Sequence, residues 1–77
     1  RNTREAYHRA VIDFLAWSND RNCGLADLEP IHVAAYVEYL GTVYSPPTVK
    51  QHLAAIRMCF DWLVTGQVVA ANPAASV

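Results

Sequence analysis

Cysteine, glycine and charge are all in short supply in this 77-residue chain, and other features are missing outright. Two cysteines, Cys23 and Cys59, are too few to staple a disulfide scaffold. No run approaches the ~18 apolar residues that a membrane span needs. No basic start leads into an apolar stretch with a small-residue cleavage site, so no signal peptide is read. These absences favour a cytoplasmic protein. No segment alternates apolar and polar residues, and the β-like pair Val68-Val69 is too short for a strand. His8, His32 and His52 lack the spacing of a zinc site on one helix, and the cysteines have no close pairing. No metal and no cofactor is therefore expected. Without a nucleophile–base pair, a metal set or a phosphate loop, no catalytic residue can be nominated.

What is present is apolar: 53% of the chain, with Phe14, Trp17, Phe60 and Trp62 available to anchor a core. One domain over residues 1–77 fits this length. The formal net charge is only −1, but it is unevenly spread. Arg1, Arg4 and Arg9 against Glu5 make residues 1–9 basic, and Lys50 and Arg57 make residues 45–57 basic. Between them, Arg21 stands against Asp13, Asp20, Asp27, Glu29 and Glu38. A fold that joins the two basic segments would give one face that attracts phosphate and another that stays acidic.

Three helices follow from the apolar spacing. In the first, Thr3 is a candidate N-cap. Tyr7, Val11, Phe14, Leu15 and Ser18 share one face, and the polar run 19–24 ends the helix near Asp20. Glu29-Pro30 opens the second helix, with proline in the first turn. It runs through Ile31, Val33, Val37 and Leu40 to Gly41. Being apolar nearly all round, it is expected to be buried on more than one side. Ser45-Pro46-Pro47 opens the third and longest helix, with Ser45 as N-cap. Its apolar stripe is Val49, Leu53, Ile56, Phe60, Leu63 and Val64, and Gly66 closes it. Asn72-Pro73 is expected to cap a short fourth helix through Ser76. The fold class is thus all-α, a bundle of three main helices plus a short C-terminal one.

A candidate nucleic-acid face comes from the helix starts, where free amides and the positive dipole end suit phosphate. Asn2, Thr3 and Arg4 mark one start; Ser45, Thr48, Lys50, Gln51 and His52 mark the other. On the third helix Thr48, Gln51, Ala55, Met58 and Trp62 form a second face away from the apolar stripe. Gln51 can pair with adenine, and Thr48 or the Ala55 methyl can touch a thymine methyl. Arg4, Lys50 and Arg57 suit phosphate, giving register without sequence information. The plainer reading makes Thr3 and Ser45 caps, Lys50 and Arg57 solvated charges, and Arg57 a partner for Asp61 four residues on. Met58 and Trp62 are expected to lie under a second layer of the bundle; the alternative is a patch for another domain or protomer.

Four pieces resemble the core-binding domain of the phage integrase and Xer-type tyrosine recombinases. Asn2-Thr3-Arg4-Glu5-Ala6-Tyr7 is similar to the family's N-T-x-x-x-Y opening, and Phe14-Leu15-Ala16-Trp17 to the F-x-x-W that follows. Ser45-x-x-Thr48-Val49-x-x-x-Leu53-Ala54-Ala55-Ile56-Arg57-x-x-Phe60-x-Trp62-Leu63 resembles the family's S-x-x-T-I-x-x-x-L-S-A-L-R-x-F-F-x-W-L, with Ala54 where serine is common. Asn72-Pro73 is similar to the N-P that ends the domain. The resemblance implies a SAM-like orthogonal bundle of four helices. It implies a domain that holds one side of duplex DNA while a separate catalytic domain, absent from this chain, holds the other. Tyr7 is also a candidate for the DNA-binding set, the plainer reading being a core residue with its hydroxyl at the rim. The implied partners are double-stranded DNA, the catalytic domain of the same full-length protein, and other recombinase protomers on DNA. The isolated domain is expected to be a monomer without enzymatic activity of its own. A helical protein–protein interaction module is the alternative that the low net charge leaves open.

Overall fold

A computed structural model describes residues 3–77, with side chains from Arg4 onward. Helix α1 spans Thr3–Asp20, α2 Pro30–Leu40 and α3 Pro46–Thr65, with a single 3-10 turn at Leu25–Asp27. No strand is present among the described residues. The fourth helix is not formed. Residues 73–76 make only a turn, held by amides of Ala75 and Val77 donating three residues back to Asn72 and Ala74. A segment this short cannot offset the cost of nucleating a helix.

The helix ends follow from local chemistry. Thr3 is already helical in α1, so it is not a cap standing outside the helix. It stops where Asn22 adopts φ 60° and Cys23 N–H donates back to the Ser18 carbonyl at 3.0 Å, a Schellman closure. α3 stops in the same way. Gly66 is its C-cap at φ −81°, but the left-handed residue is Gln67 at φ 61°, and Val68 N–H returns to Leu63. Gly41 ends α2 in right-handed geometry at φ −63°, so neither cap glycine uses its special freedom. α2 opens with a reciprocal cap: the Glu29 side chain accepts from the backbone of His32, and His32 Nδ1 accepts from Glu29 N–H at 2.9 Å.

The core gathers Phe14, Val33, Tyr36, Leu40, Ile56, Phe60 and Ala74. Phe14 is its hub, with ring centroids 5.0 Å from Tyr36, 6.3 Å from Phe60 and 6.4 Å from Trp17. In α1 the buried line is Ala10, Phe14 and Ser18, four residues apart, while Tyr7, Val11 and Leu15 flank it half-buried. Ser18 is tolerated there because its hydroxyl donates to the Leu15 carbonyl. The principal contact is between α1 and α3, where buried Ala10 and Ala55 lie on the facing sides and small side chains permit close approach.

α2 corrects the expectation of burial on several sides. Only Val33, Tyr36 and Leu40 are buried, and Ile31, Ala34, Ala35 and Glu38 form an exposed stripe with Ile31 70% exposed. In so small a bundle α2 has neighbours on one side only, so composition alone does not bury its second face.

Candidate nucleic-acid interface

The crossing of α1 over α3 decides which basic and polar residues meet. On one side of it Glu5, Ala6 and Arg9 of α1 face Thr48, Gln51 and His52 of α3 across a concavity of ≈ 440 Å³. Gln51 and Arg9 are exposed, whereas Thr48 and His52 are half-buried. The His52 ring lies 5.0 Å from that of Tyr44, and its Nδ1 is buried without a hydrogen-bond partner. Arg9 is the residue that sequence reasoning missed. It was counted in the basic segment, but nothing in the linear spacing shows that it faces Gln51 across the helix pair.

The second helix start is poorer in amides than expected. Pro46 and Pro47 occupy the first two positions of α3, and proline has no N–H to offer an anion. Ser45 sits at the N-cap, but its hydroxyl makes no cap bond; it lies 3.3 Å from the Thr48 hydroxyl. One of the two hydroxyls donates to the other, and Thr48 alone of the pair lines the concavity.

Lys50 and Arg57, seven residues apart on α3, flank the α1–α3 cavities without lining either. Lys50 is exposed. Arg57 is engaged elsewhere: its Nε donates to the Ala74 carbonyl at 3.1 Å and its Nη2 to the Val77 carbonyl. It does not pair with Asp61. Asn72 takes that carboxylate instead, with Nδ2 2.7 Å from Asp61 Oδ1 and 3.1 Å from the Arg57 carbonyl, while its Oδ1 accepts from Ala74 N–H at 2.8 Å. The Asn-Pro motif is therefore a clasp between α3 and the C-terminal turn. Burial of Pro73 and Ala74 reinforces it.

Of the other candidates, Asn2 lies outside the described residues, and Thr3 is described only as the first residue of α1. Arg4 is exposed. Tyr7 is half-buried in an apolar groove of ≈ 380 Å³ on the other side of the crossing, where Arg4 and His8 meet Val11, Cys59, Met58 and Trp62. Two expectations fail in this groove. Met58 and Trp62 are not covered by a second layer; they are 57% and 74% exposed. The Ala55 methyl, 2% exposed, is spent on the α1 contact and is closed to a base. Cys59 is half-buried there, and burial pushes its thiol pKa up. It packs as an unreactive thiol, and both cysteines are free.

Thus the geometry has a polar concavity in which Arg9 and Glu5 both stand, an apolar groove, and an acidic remainder. The chain matches the phage integrase N-terminal SAM-like domain over residues 1–68. The chain belongs to this family. The matched part is the N-terminal SAM-like part of integrases, not their catalytic domain, so this is a recombinase-associated helical domain. No curated protein and no solved structure matches the chain. In this integrase domain no helix among the described residues is long and apolar enough to cross a membrane. Among the same residues no three His, Cys, Asp or Glu side chains converge as metal ligands.

Proposed function

We propose that this chain binds duplex DNA through the α1–α3 face as the core-binding domain of a site-specific tyrosine recombinase. It holds one side of the recombination site while the separate catalytic domain of the full-length protein holds the other. The observation that carries this reading is the meeting of Arg9 with Thr48 and Gln51 in one concavity, in a chain whose family is that of integrases. Gln51 and Thr48 are assigned to base edges. Arg4, Arg9 and Lys50 are assigned to phosphates on either flank. Asn2, Thr3 and Tyr7 extend the face at the start of α1, and Ser45 and His52 support Thr48 and Gln51 at its rim. Arg57 stands in the set with a structural duty already, leaving its Nη1 for phosphate. The domain acts in the cytoplasm as a monomer until protomers meet on paired sites. It has no cofactor and no activity of its own.

Fluorescence anisotropy on a short duplex tests the assignment. Lys50→Ala should weaken binding alike on every sequence and lower the salt slope by about 0.9. Gln51→Ala should instead relax discrimination at one base pair by about 1–3 kcal/mol. Equal affinity of both variants and the native chain for DNA would remove the reading.

A second reading rests on exposed Trp62 and Met58 beside Tyr7: that groove receives protein and not nucleic acid. It is compatible with the first if Trp62→Ala leaves DNA affinity unchanged.

A further inference from the structure

Beside the concavity, and separated from it by the stacked Tyr44 and His52 rings, the stripe Asp13, Trp17 and Asp20 of α1 faces the end of α2. Together with Tyr36, Tyr39 and Tyr44 it encloses a pocket of ≈ 290 Å³. Its chemistry is narrow. Tyr36 is buried in the floor, and Tyr39 and Tyr44 are partly exposed. The rings are close-set, with centroids 5.0 Å apart for Trp17–Tyr36 and 6.0 Å for Tyr36–Tyr39. Two carboxylates stand among these rings, and neither Asp13 nor Asp20 has an ion-pair partner among the described residues. The Trp17 Nε1–H is buried with no acceptor.

We infer that this pocket is a receptor for an arginine side chain presented by a partner protein. Three features select that occupant. Aromatic faces attract a cation through the ring quadrupole. Carboxylates add charge-assisted hydrogen bonds, which a planar guanidinium makes in a fork and a lysine ammonium does not. The acidic surroundings, from the excess of carboxylates in residues 10–44, repel nucleic acid and attract a basic segment. The molecule shows the pairing internally at the edge of this site. Arg21, which does not line the pocket, lays its guanidinium 4.1 Å from the Trp17 ring centroid. The pocket's size suits one long side chain and excludes a folded element.

The inference is independent of DNA binding and is tested without DNA. N-acetyl-arginine methylamide is titrated into the isotope-labelled domain, following the Trp17 indole N–H and the amides of Leu40 and Tyr44. Saturable shifts at these positions, unmatched by the neutral citrulline analogue and weaker for the lysine analogue, are expected. In Asp13→Asn/Asp20→Asn the affinity should drop about tenfold, with the amide spectrum otherwise unchanged. Should that double variant fail to fold, Tyr39→Leu, at a partly exposed wall, should weaken binding instead. Equal shifts from citrulline, shifts that grow linearly without saturation, or shifts confined to the Trp62 groove would each overturn the assignment.

Discussion

Tyr36 places a phenol in the core beside Asp13. Burial, with that carboxylate adding to it, pushes its pKa up to about 12. An unfolded tyrosine ionises near 10, so the unfolded chain loses the proton first. The stability gained by keeping Tyr36 neutral is therefore fully present below pH ~10 and is lost as pH rises towards 12. Urea melts across that interval should show stability falling more steeply with pH than in Tyr36→Phe. Parallel curves for the two proteins would contradict the burial argument. Gln67 is a second site of local cost, since an L-residue in the left-handed region is disfavoured. Gln67→Gly should raise stability by about 0.5–1 kcal/mol in the same assay, and a loss would mean that the Gln67 side chain has an uncounted role. At this scale the sequence was legible for core aromatics and helix punctuation. It was not legible for hydroxyl and guanidinium partners. Ser45 turns to Thr48 instead of the backbone, and Arg57 to carbonyls 17 and 20 residues away. Such choices depend on what the fold brings near, and spacing along a helix cannot show them.

At the scale of elements, α1, α2 and α3 lie where apolar periodicity, Pro-led starts and polar stops place them, because each signal acts within a few residues. The C-terminal segment did not follow its own cap. Asn72-Pro73 looked like a helix start because Asn and Pro favour one. Its polar atoms instead reach α3, and the turn is held by side chains rather than by a helical ladder. Asn72→Ala removes three hydrogen bonds at once and leaves the amide of Ala74 unpaired. Thermal unfolding should report a loss of about 1–3 kcal/mol, and hydrogen exchange should show faster opening of residues 73–77. An unchanged melt would mean that Pro73 and Ala74 dock by packing alone. Burial of α2 was the other misreading. Composition reported its apolar character, but the number of neighbours is a property of the assembly of helices.

For the whole molecule, net charge says little and its placement says much. The fold sets Arg9 beside Thr48 and Gln51 and Arg4 beside Met58 and Trp62, while Asp13, Asp20, Tyr36, Tyr39 and Tyr44 line a separate, neighbouring pocket. A chain of net charge −1 can then present a cationic face to DNA and an acidic, aromatic pocket to protein. That segregation was visible as a charge pattern, whereas the crossing at Ala10 and Ala55 that produces it was not. The most direct test is a titration of the labelled domain with a short duplex, following backbone amides at two salt concentrations. Shifts clustered at residues 2–9 and 45–52, fading at the higher salt, are predicted. An intact fold with no shift at low salt, or with shifts confined to Trp17, Asp20 and Tyr39, would contradict the DNA-binding account.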